Sequence, residues 1–439
     1  MNNQPWQTRW PERISYGLSD AADNLVFQMM TMYLLFFYTD IFKLQPEDVA
    51  ILFVVARFAD VIESLLIGIM IDKTKTRWGK SRPFFLWFAF PYVIFAVLTF
   101  LTPNFTYDWK LVWAYVTYLG LGFFYTAVNL PITSILPTMT QNDREITLLG
   151  VIRQFFGSSV QIIVSVFAPL LVLFFGHGNQ QHGYFLTVVT FGIISLVLIL
   201  NTFFQVKERF HDQNASYKSL KETFSMLKKN HPWIIISIVI FLYWLTTAIK
   251  NQTTIYYFKY VIDRADLVPL ANSFTLAALV GVVLIYPLSK KLGNKKTMQF
   301  GIIFALIGQL ILALAVYMNN LPILFTGTFI NSIGHGFIVG LVSVMIADTI
   351  KLGTAMGIQA EGVLASTDNL GVNLGLGIGG FITAQSFSFS GFVAGQTQNQ
   401  ATIEMINLNY VAIPIILYLI MFAVLFFYNE KIINKKAFN

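Results

Sequence analysis

The stretch Val49–Met70, VAILFVVARFADVIESLLIGIM, decides the fold. It is long enough to cross a bilayer, which takes about 17–25 apolar residues as a helix. It also carries Arg57, Asp60 and Glu63, one helical turn apart. A charge held inside a bilayer costs at least ~2.5–3.5 kcal/mol, so intramembrane charges face protein or a water-filled cavity and act there. Three on one helix point to passage of a polar solute through a membrane.

Outward from this run the same pattern recurs. The 439 residues are 56% hydrophobic, 16% aromatic and 12% charged, about half the charge of a soluble domain. Apolar runs fall near 15–40, 47–70, 84–102, 110–137, 149–175, 184–205, 232–258, 270–288, 298–318, 322–347, 358–385 and 408–428. Lipid leaves backbone groups no partner but their own segment, so the expectation is an all-α polytopic protein of twelve transmembrane helices. The start, MNNQPWQTRWPERISYG, lacks an apolar core and a cleavage site and reads as a retained cytoplasmic tail. There is no cysteine, which excludes disulfides, thiolate metal sites and cysteine nucleophiles.

The net charge of +7 sits in the connections. Arg9, Arg13, Lys73, Lys75, Arg77, Lys80, Arg82, Arg144, Lys290, Lys291, Lys295, Lys296, Lys351, Lys431, Lys435 and Lys436 share one side. Only Lys43, Lys110, Lys259 and Arg264 fall on the other. Lys/Arg excess marks the cytoplasm, which places both termini inside a cell inner membrane and makes the charge a topology signal, not a nucleic-acid footprint. The longest polar connection, 206–231, divides a bundle at 1–205 from one at 232–439. Within it Leu220, Phe224 and Leu227 mark a short amphipathic helix. The loops DKTKTRWGKSRP and SKKLGNKKT occupy equivalent places in the two halves, as in transporters built from a repeat.

The polar residues inside the runs are the candidate site. Asp60 lies three residues from both Arg57 and Glu63, so the three share a face. One arginine cannot neutralise two carboxylates. The bland alternative is a structural Arg57–Asp60 ion pair. Asp23 and Asn24 lie two turns into the first span and suit a hydroxyl-rich ligand, since carboxylates and amides accept and donate at once. Asp20 reads as a solvated helix start. Tyr125, Thr126 and Asn129 line the fourth span, where interhelical hydrogen bonding is the competing role. Arg153, a turn inside the fifth span, needs a buried carboxylate, with Asp60 or Asp23 as natural partners. In the second half Lys250, Asn251 and Gln252 interrupt span seven, and Asp368, Asn369 and Asn373 line span eleven. Asp348 and Glu361 lie nearer the cytoplasm, where they read as gate residues with Asp72, Arg77, Lys80 and Arg82. Gly371, Gly375 and Gly379 form a small-residue ridge for close helix contact, and His335 reads as a hydrogen-bonded helix residue. No catalytic triad, metal spacing or P-loop is present, so neither an enzyme nor an ATP motor is encoded.

The segments YGLSDAADNLVFQ, FVVARFADVIESLLIG, DKTKTRWGKSRPFFLW, YTAVNLPITSILPTMT and VMIADTIKLG resemble the glycoside–pentoside–hexuronide:cation symporters of the major facilitator superfamily. The resemblance covers essentially the whole chain. It implies a sugar or glycoside carrier driven by H⁺, Na⁺ or Li⁺. Asp60 matches the family's first cation-site carboxylate, and Ser64 stands where the second falls. Glu63 sits one place earlier, and Thr126 matches a cation-site hydroxyl. Asn24 and Asn129 occupy positions that contact sugar as aspartates, and Arg153 matches the sugar-site arginine. Thr133 and Val339 replace tryptophans that flank the sugar, and Asn373 replaces a lysine.

The sequence expectation is therefore a monomeric secondary transporter working by alternating access in the lipid bilayer, with no cofactor. Sugar is assigned to Asp23, Asn24, Arg57, Asn129, Arg153, Asp368, Asn369 and Asn373, and cation coupling to Asp60, Glu63 and Thr126. A Na⁺ site at Asp60 and Glu63 would need several converging oxygens, whereas a proton needs one carboxylate, so H⁺ is favoured over Na⁺. An uncoupled facilitator, a lysolipid transporter and a transporter-like sensor are the alternatives.

Overall fold

The computed structural model describes residues 6–210, 230–355 and 361–429. Among the described residues there is no β-strand, and twelve principal helices follow one another. They are α1 (Trp10–Phe36), α2 (Pro46–Lys73), α3 (Arg82–Thr99), α4 (Tyr107–Ser134), α5 (Asp143–Gly176) and α6 (Gln180–Gln205). The second set is α7 (His231–Tyr256), α8 (Ala278–Leu292), α9 (Asn294–Met318), α10 (Leu321–Ala355), α11 (Glu361–Phe389) and α12 (Ile413–Phe426). Nine stretches among the described residues are long and apolar enough to cross a membrane. The remaining principal helices, α1, α2 and α11, hold most of the polar residues singled out above. The chain is an all-α polytopic membrane protein. α7 runs unbroken through Lys250, Asn251 and Gln252, the polar residues set in its apolar run.

The chain forms two compact units, Met1–Ala215 and Ser216–Asn439. In the first, α1 packs on α5 and α6, α3 on α4 and α6, and α2 on α4. In the second, α7 packs on α11 and α12, α9 on α10 and α12, and α8 on α10. Each of these five pairings in the first bundle recurs six helices later.

The repeat extends to backbone detail. α1 closes in a π turn at Phe37–Ile41, and α7 closes in one at Tyr257–Val261. Phe42 and Leu44 N–H donate to the Phe37 and Tyr38 carbonyls, as Ile262 and Arg264 donate to Tyr257 and Phe258. The chain then reverses through a positive-φ residue in both, Lys43 at 64° and Asp263 at 57°. The two basic loops each turn on a positive-φ glycine, Gly79 at 108° and Gly293 at 83°.

Candidate functional site

The polar interior of the first bundle is built on α1. Asp20, Asn24 and Gln28 are four apart and form one stripe. Asn24 Nδ2 donates to the Asp20 carbonyl at 2.8 Å and to Asp20 Oδ2 at 3.2 Å. Gln28 Nε2 donates to Asn24 Oδ1 at 3.3 Å. Arg153 on α5 reaches this stripe, with Nε 2.8 Å from Asp20 Oδ1 and Nη1 donating to Thr133 Oγ1 at 3.0 Å. The partner of Arg153 is thus neither Asp60 nor Asp23. Asp20 is not a solvated helix start, since its side chain is only 13% exposed. The i, i+4 spacing of Asp20 and Asn24 was the available signal. The approach of α5 requires Gly157, because a Cβ there would lie 2.1 Å from Asp20 Oδ2.

Asp23 projects toward α3 and α4. Asn129 Nδ2 donates to Asp23 Oδ2 at 2.6 Å, and the Tyr92 hydroxyl donates to the Asp23 carbonyl at 2.9 Å. Asp23 is fully buried, and its Oδ1 closes no hydrogen bond. Sequence spacing gave no warning of Tyr92, which lies on another helix. Tyr125 stacks on Phe27 with centroids 4.9 Å apart.

On α2, Arg57 Nη1 lies 2.9 Å from Asp60 Oδ2, and the Tyr118 hydroxyl also pairs with Arg57. Glu63 is buried, with Oε2 left without a hydrogen bond. Both carboxylates face Gly122 of α4. Tyr125 interacts electrostatically with Asp20, Asp23, Asp60 and Arg153, and its hydroxyl also pairs with the Asp23 side chain. The expected residues Asp23, Asn24, Arg57, Asp60, Glu63, Asn129 and Arg153 therefore belong to one bundle interior. Thr126 is half-buried on α4, and its hydroxyl bonds neither Asp60 nor Glu63.

At the basic end of this bundle the loop after α2 encloses a carboxylate. Lys80, Ser81 and Arg82 N–H groups donate to Glu208 at 3.0, 2.7 and 2.9 Å. Backbone N–H groups at a helix start make such an anion seat. Gly79 is obligatory, since its φ is 108° and a Cβ would lie 2.4 Å from the Glu208 carboxyl carbon. Arg82 donates to the Phe203 carbonyl at 2.8 Å, Arg77 stacks over Trp78, and Asp72 is exposed. Arg82 is thereby engaged inside its own bundle.

Gln7 and Thr8, just before α1, are tied to the start of α5. Glu145 accepts from Gln7 N–H, Thr8 N–H, the Thr8 hydroxyl, Thr140 and Arg13. It precedes the membrane-spanning part of α5, which begins at Leu148. Burial raises its pKa, but these donors outweigh burial and hold it at about 2. Arg209 clasps Glu12 with two bonds of 2.7 Å.

In the second bundle Lys250 is buried on α7. Its Nζ donates to Gln309 Oε1 at 3.0 Å and to Asn331 Oδ1. Among the described residues no carboxylate pairs with it. Gln309 in turn donates to the Tyr410 carbonyl, and Asn331 to the Ala305 carbonyl. His335 bridges the Tyr418 and Tyr243 hydroxyls. Asn294 donates to Asp348 at 3.1 Å, and Asn373 is exposed on α11. The side chains of Glu361, Asp368 and Asn369, and the segment with Leu220, Phe224 and Leu227, lie outside the described residues.

Residues 15–430 match the family model described as MFS/sugar transport protein. The isoprimeverose transporter of Lactiplantibacillus pentosus is 41% identical over 428 residues, which is 96% of this chain and 89% of that protein. A glucuronide carrier protein homologue of Escherichia coli is 28% identical over 432 residues, 96% and 93% of the two chains. A bacterial homologue of the human lysosomal transporter Spinster superposes with a TM-score of 0.71 at 13% identity, over 98% of this chain and 99% of that one, a likeness of fold alone. The chain belongs to the MFS sugar-transport family, in its glycoside–pentoside–hexuronide group, and is a membrane transporter and not an enzyme.

Proposed function

We propose that this protein imports a sugar or glycoside together with a proton by alternating access. One observation carries it: among the described residues Asp20, Asp23, Asp60 and Glu63 gather with two guanidinium groups, Arg57 and Arg153, and two buried carboxylate oxygens, on Asp23 and Glu63, close no hydrogen bond. Orphaned buried polar atoms call for a partner, since each costs about 1–3 kcal/mol. A sugar hydroxyl is the natural donor to Asp23, beside the amides of Asn24 and Asn129 and the guanidinium of Arg153. A proton is the natural partner for the Asp60–Glu63 pair, whose single neighbouring cation, Arg57, already bonds Asp60.

In this reading Asp23, Asn24, Arg57, Asn129 and Arg153 hold the sugar, and Asp60 with Glu63 holds the coupling proton. Thr126 lends a hydroxyl near by. Protonation removes a buried negative charge and favours the sugar-bound state. The carrier acts as a monomer in a bacterial inner membrane with both termini in the cytoplasm. The relatedness to an isoprimeverose transporter supports a glycoside substrate.

The test is counterflow in proteoliposomes with labelled glycosides, pentosides and uronides, followed by accumulation under an imposed pH gradient. Sugar-dependent alkalinisation of the outer medium is expected in energised cells. Uptake indifferent to a protonophore and to Na⁺ removal would overturn the symport and leave a facilitator. Dependence on Na⁺ alone would replace the proton with that ion.

A further inference from the structure

We infer that Asp20 is a specificity-determining residue, which neutralises Arg153 and so restricts the carrier to uncharged, hydroxyl-rich sugars. This rests on the sugar-transport reading above and adds to it the charge class of the substrate.

Buried charges in one bundle interior must be balanced by partners. An anionic sugar, such as a uronate, needs a cation to compensate its carboxylate, and the arginine fork is the residue suited to that task. The interior offers two arginines, and both are committed. Arg153 Nε is 2.8 Å from Asp20 Oδ1, and Arg57 Nη1 is 2.9 Å from Asp60 Oδ2. Of the remaining carboxylates, Asp23 is buried with Oδ1 unbonded and presents acceptors only, and Glu63, even when it shares the coupling proton with Asp60, supplies no cation. A uronate brought among them meets like charge, and among the described residues of this bundle interior neither Arg57 nor Arg153 is without a carboxylate, which is a repulsive device against the wrong ligand. A neutral sugar meets the opposite situation, with a hydroxyl able to donate to Asp23 Oδ1.

Asp20 is held in this role from several sides. Asn24 Nδ2 donates to its Oδ2 and to its carbonyl, and Gly157 leaves its carboxylate room against α5. Thr133 fixes the other arm of Arg153 at 3.0 Å. Asp20 touches Arg153 and not a reacting atom, so it acts through the arginine as a positioning and charge-matching residue.

The experiment is competition in wild-type proteoliposomes between a labelled neutral glycoside and unlabelled sugars, using isoprimeverose and a methyl glycoside against a methyl uronide of the same size. The wild type is expected to be inhibited by the neutral sugars and not by the uronide. In Asp20→Asn, which keeps size and hydrogen bonding but frees the charge of Arg153, the uronide-to-neutral inhibition ratio should rise at least about tenfold, ~1.4 kcal/mol. The double variant Asp20→Asn, Arg153→Gln should lose that gain. A wild type that exchanges neutral sugar and uronide alike overturns the inference whatever the variants do, and leaves transport standing. So does a folded Asp20→Asn protein whose ratio is unchanged or which binds neither sugar. A wild type that exchanges no sugar at all overturns the transport reading, and this inference with it.

Discussion

The two bundles share a packing plan and differ in what they place inside it. In the first, the interior is ionic: Asp20 with Arg153, Asp60 with Arg57, and Asp23 and Glu63 each with an oxygen to spare. In the second, the buried cation Lys250 is surrounded by neutral partners, Gln309 and Asn331, which are themselves tied to backbone carbonyls. The backbones differ in the same sense. α9 and α10 pack so closely that a Cβ on Gly308 would lie 2.2 Å from the Asn331 nitrogen, and one on Gly334 would lie 2.3 Å from the Ala305 nitrogen. The glycine ridge of α11 meets Ile240, Trp244 and Ala248 of α7. An ion pair with spare acceptors can exchange partners for a ligand. A charge capped by amides inside a glycine-packed bundle holds its geometry. Under the proposed function this difference places ligand exchange in the first bundle, with the described interior of the second as its support.

That assignment can be broken in order of expected effect. Gly308→Val should do the most damage, because its side chain meets backbone and not a yielding side-chain tip. Destabilisation at or above the ~1–3 kcal/mol of ordinary overpacking is expected, read as a fall of at least roughly 1–3 °C in the melting temperature of detergent-solubilised protein. An unchanged melt would show that α9 and α10 are not so tightly joined. Arg153→Gln leaves Asp20 without its cation, so it should lower the melt less than Gly308→Val does and weaken neutral-sugar competition by roughly 10–100-fold, the scale of hydrogen bonds to a charged group. Equal losses of stability and binding would recast Arg153 as structural.

Lys250→Met sharpens the contrast from the other side. It removes a charge but leaves Gln309 and Asn331 their bonds to backbone carbonyls. The expected cost is about 1–3 kcal/mol for two acceptors that lose a donor, with sugar exchange retained. Abolished exchange in a folded Lys250→Met carrier would move ligand chemistry into the second bundle. The smallest effect concerns the clamp around Glu145. Its pKa of about 2 lies below its ordinary 4.5, so its contribution to stability is full above pH 4.5 and is lost as pH falls toward 2. Thermal stability measured across that window should decline in the wild type, and less steeply in Glu145→Gln, whose melt already lacks the contribution at neutral pH. Parallel profiles would remove Glu145 from the account.

Much of this is legible in the sequence because lipid leaves few options. Long apolar runs have to be helices, and charges such as Arg57, Asp60 and Glu63 stand out against them. The i, i+3 spacing locates the Arg57–Asp60 pair without a structure. The identity of cross-helix partners is not legible, since it depends on how α1 meets α5. Arg153 advertises its need for a carboxylate, yet Asp60 and Asp23 both meet that need on paper, while Asp20 reads as a solvated helix start. Only the close approach at Gly157 selects Asp20. The basic loop shows the same limit. Its lysines and arginines catch the eye, while its structural task falls to backbone N–H groups around Glu208, a residue more than a hundred positions away.

The central claim is that the first bundle's ionic interior couples a cation to sugar movement through Asp60. It is tested most directly by measuring sugar counterflow and pH-driven sugar accumulation side by side in Asp60→Asn proteoliposomes. Exchange should persist while accumulation disappears, because sugar binding survives and the driving ion is disconnected. Accumulation at the wild-type level in Asp60→Asn would contradict the claim.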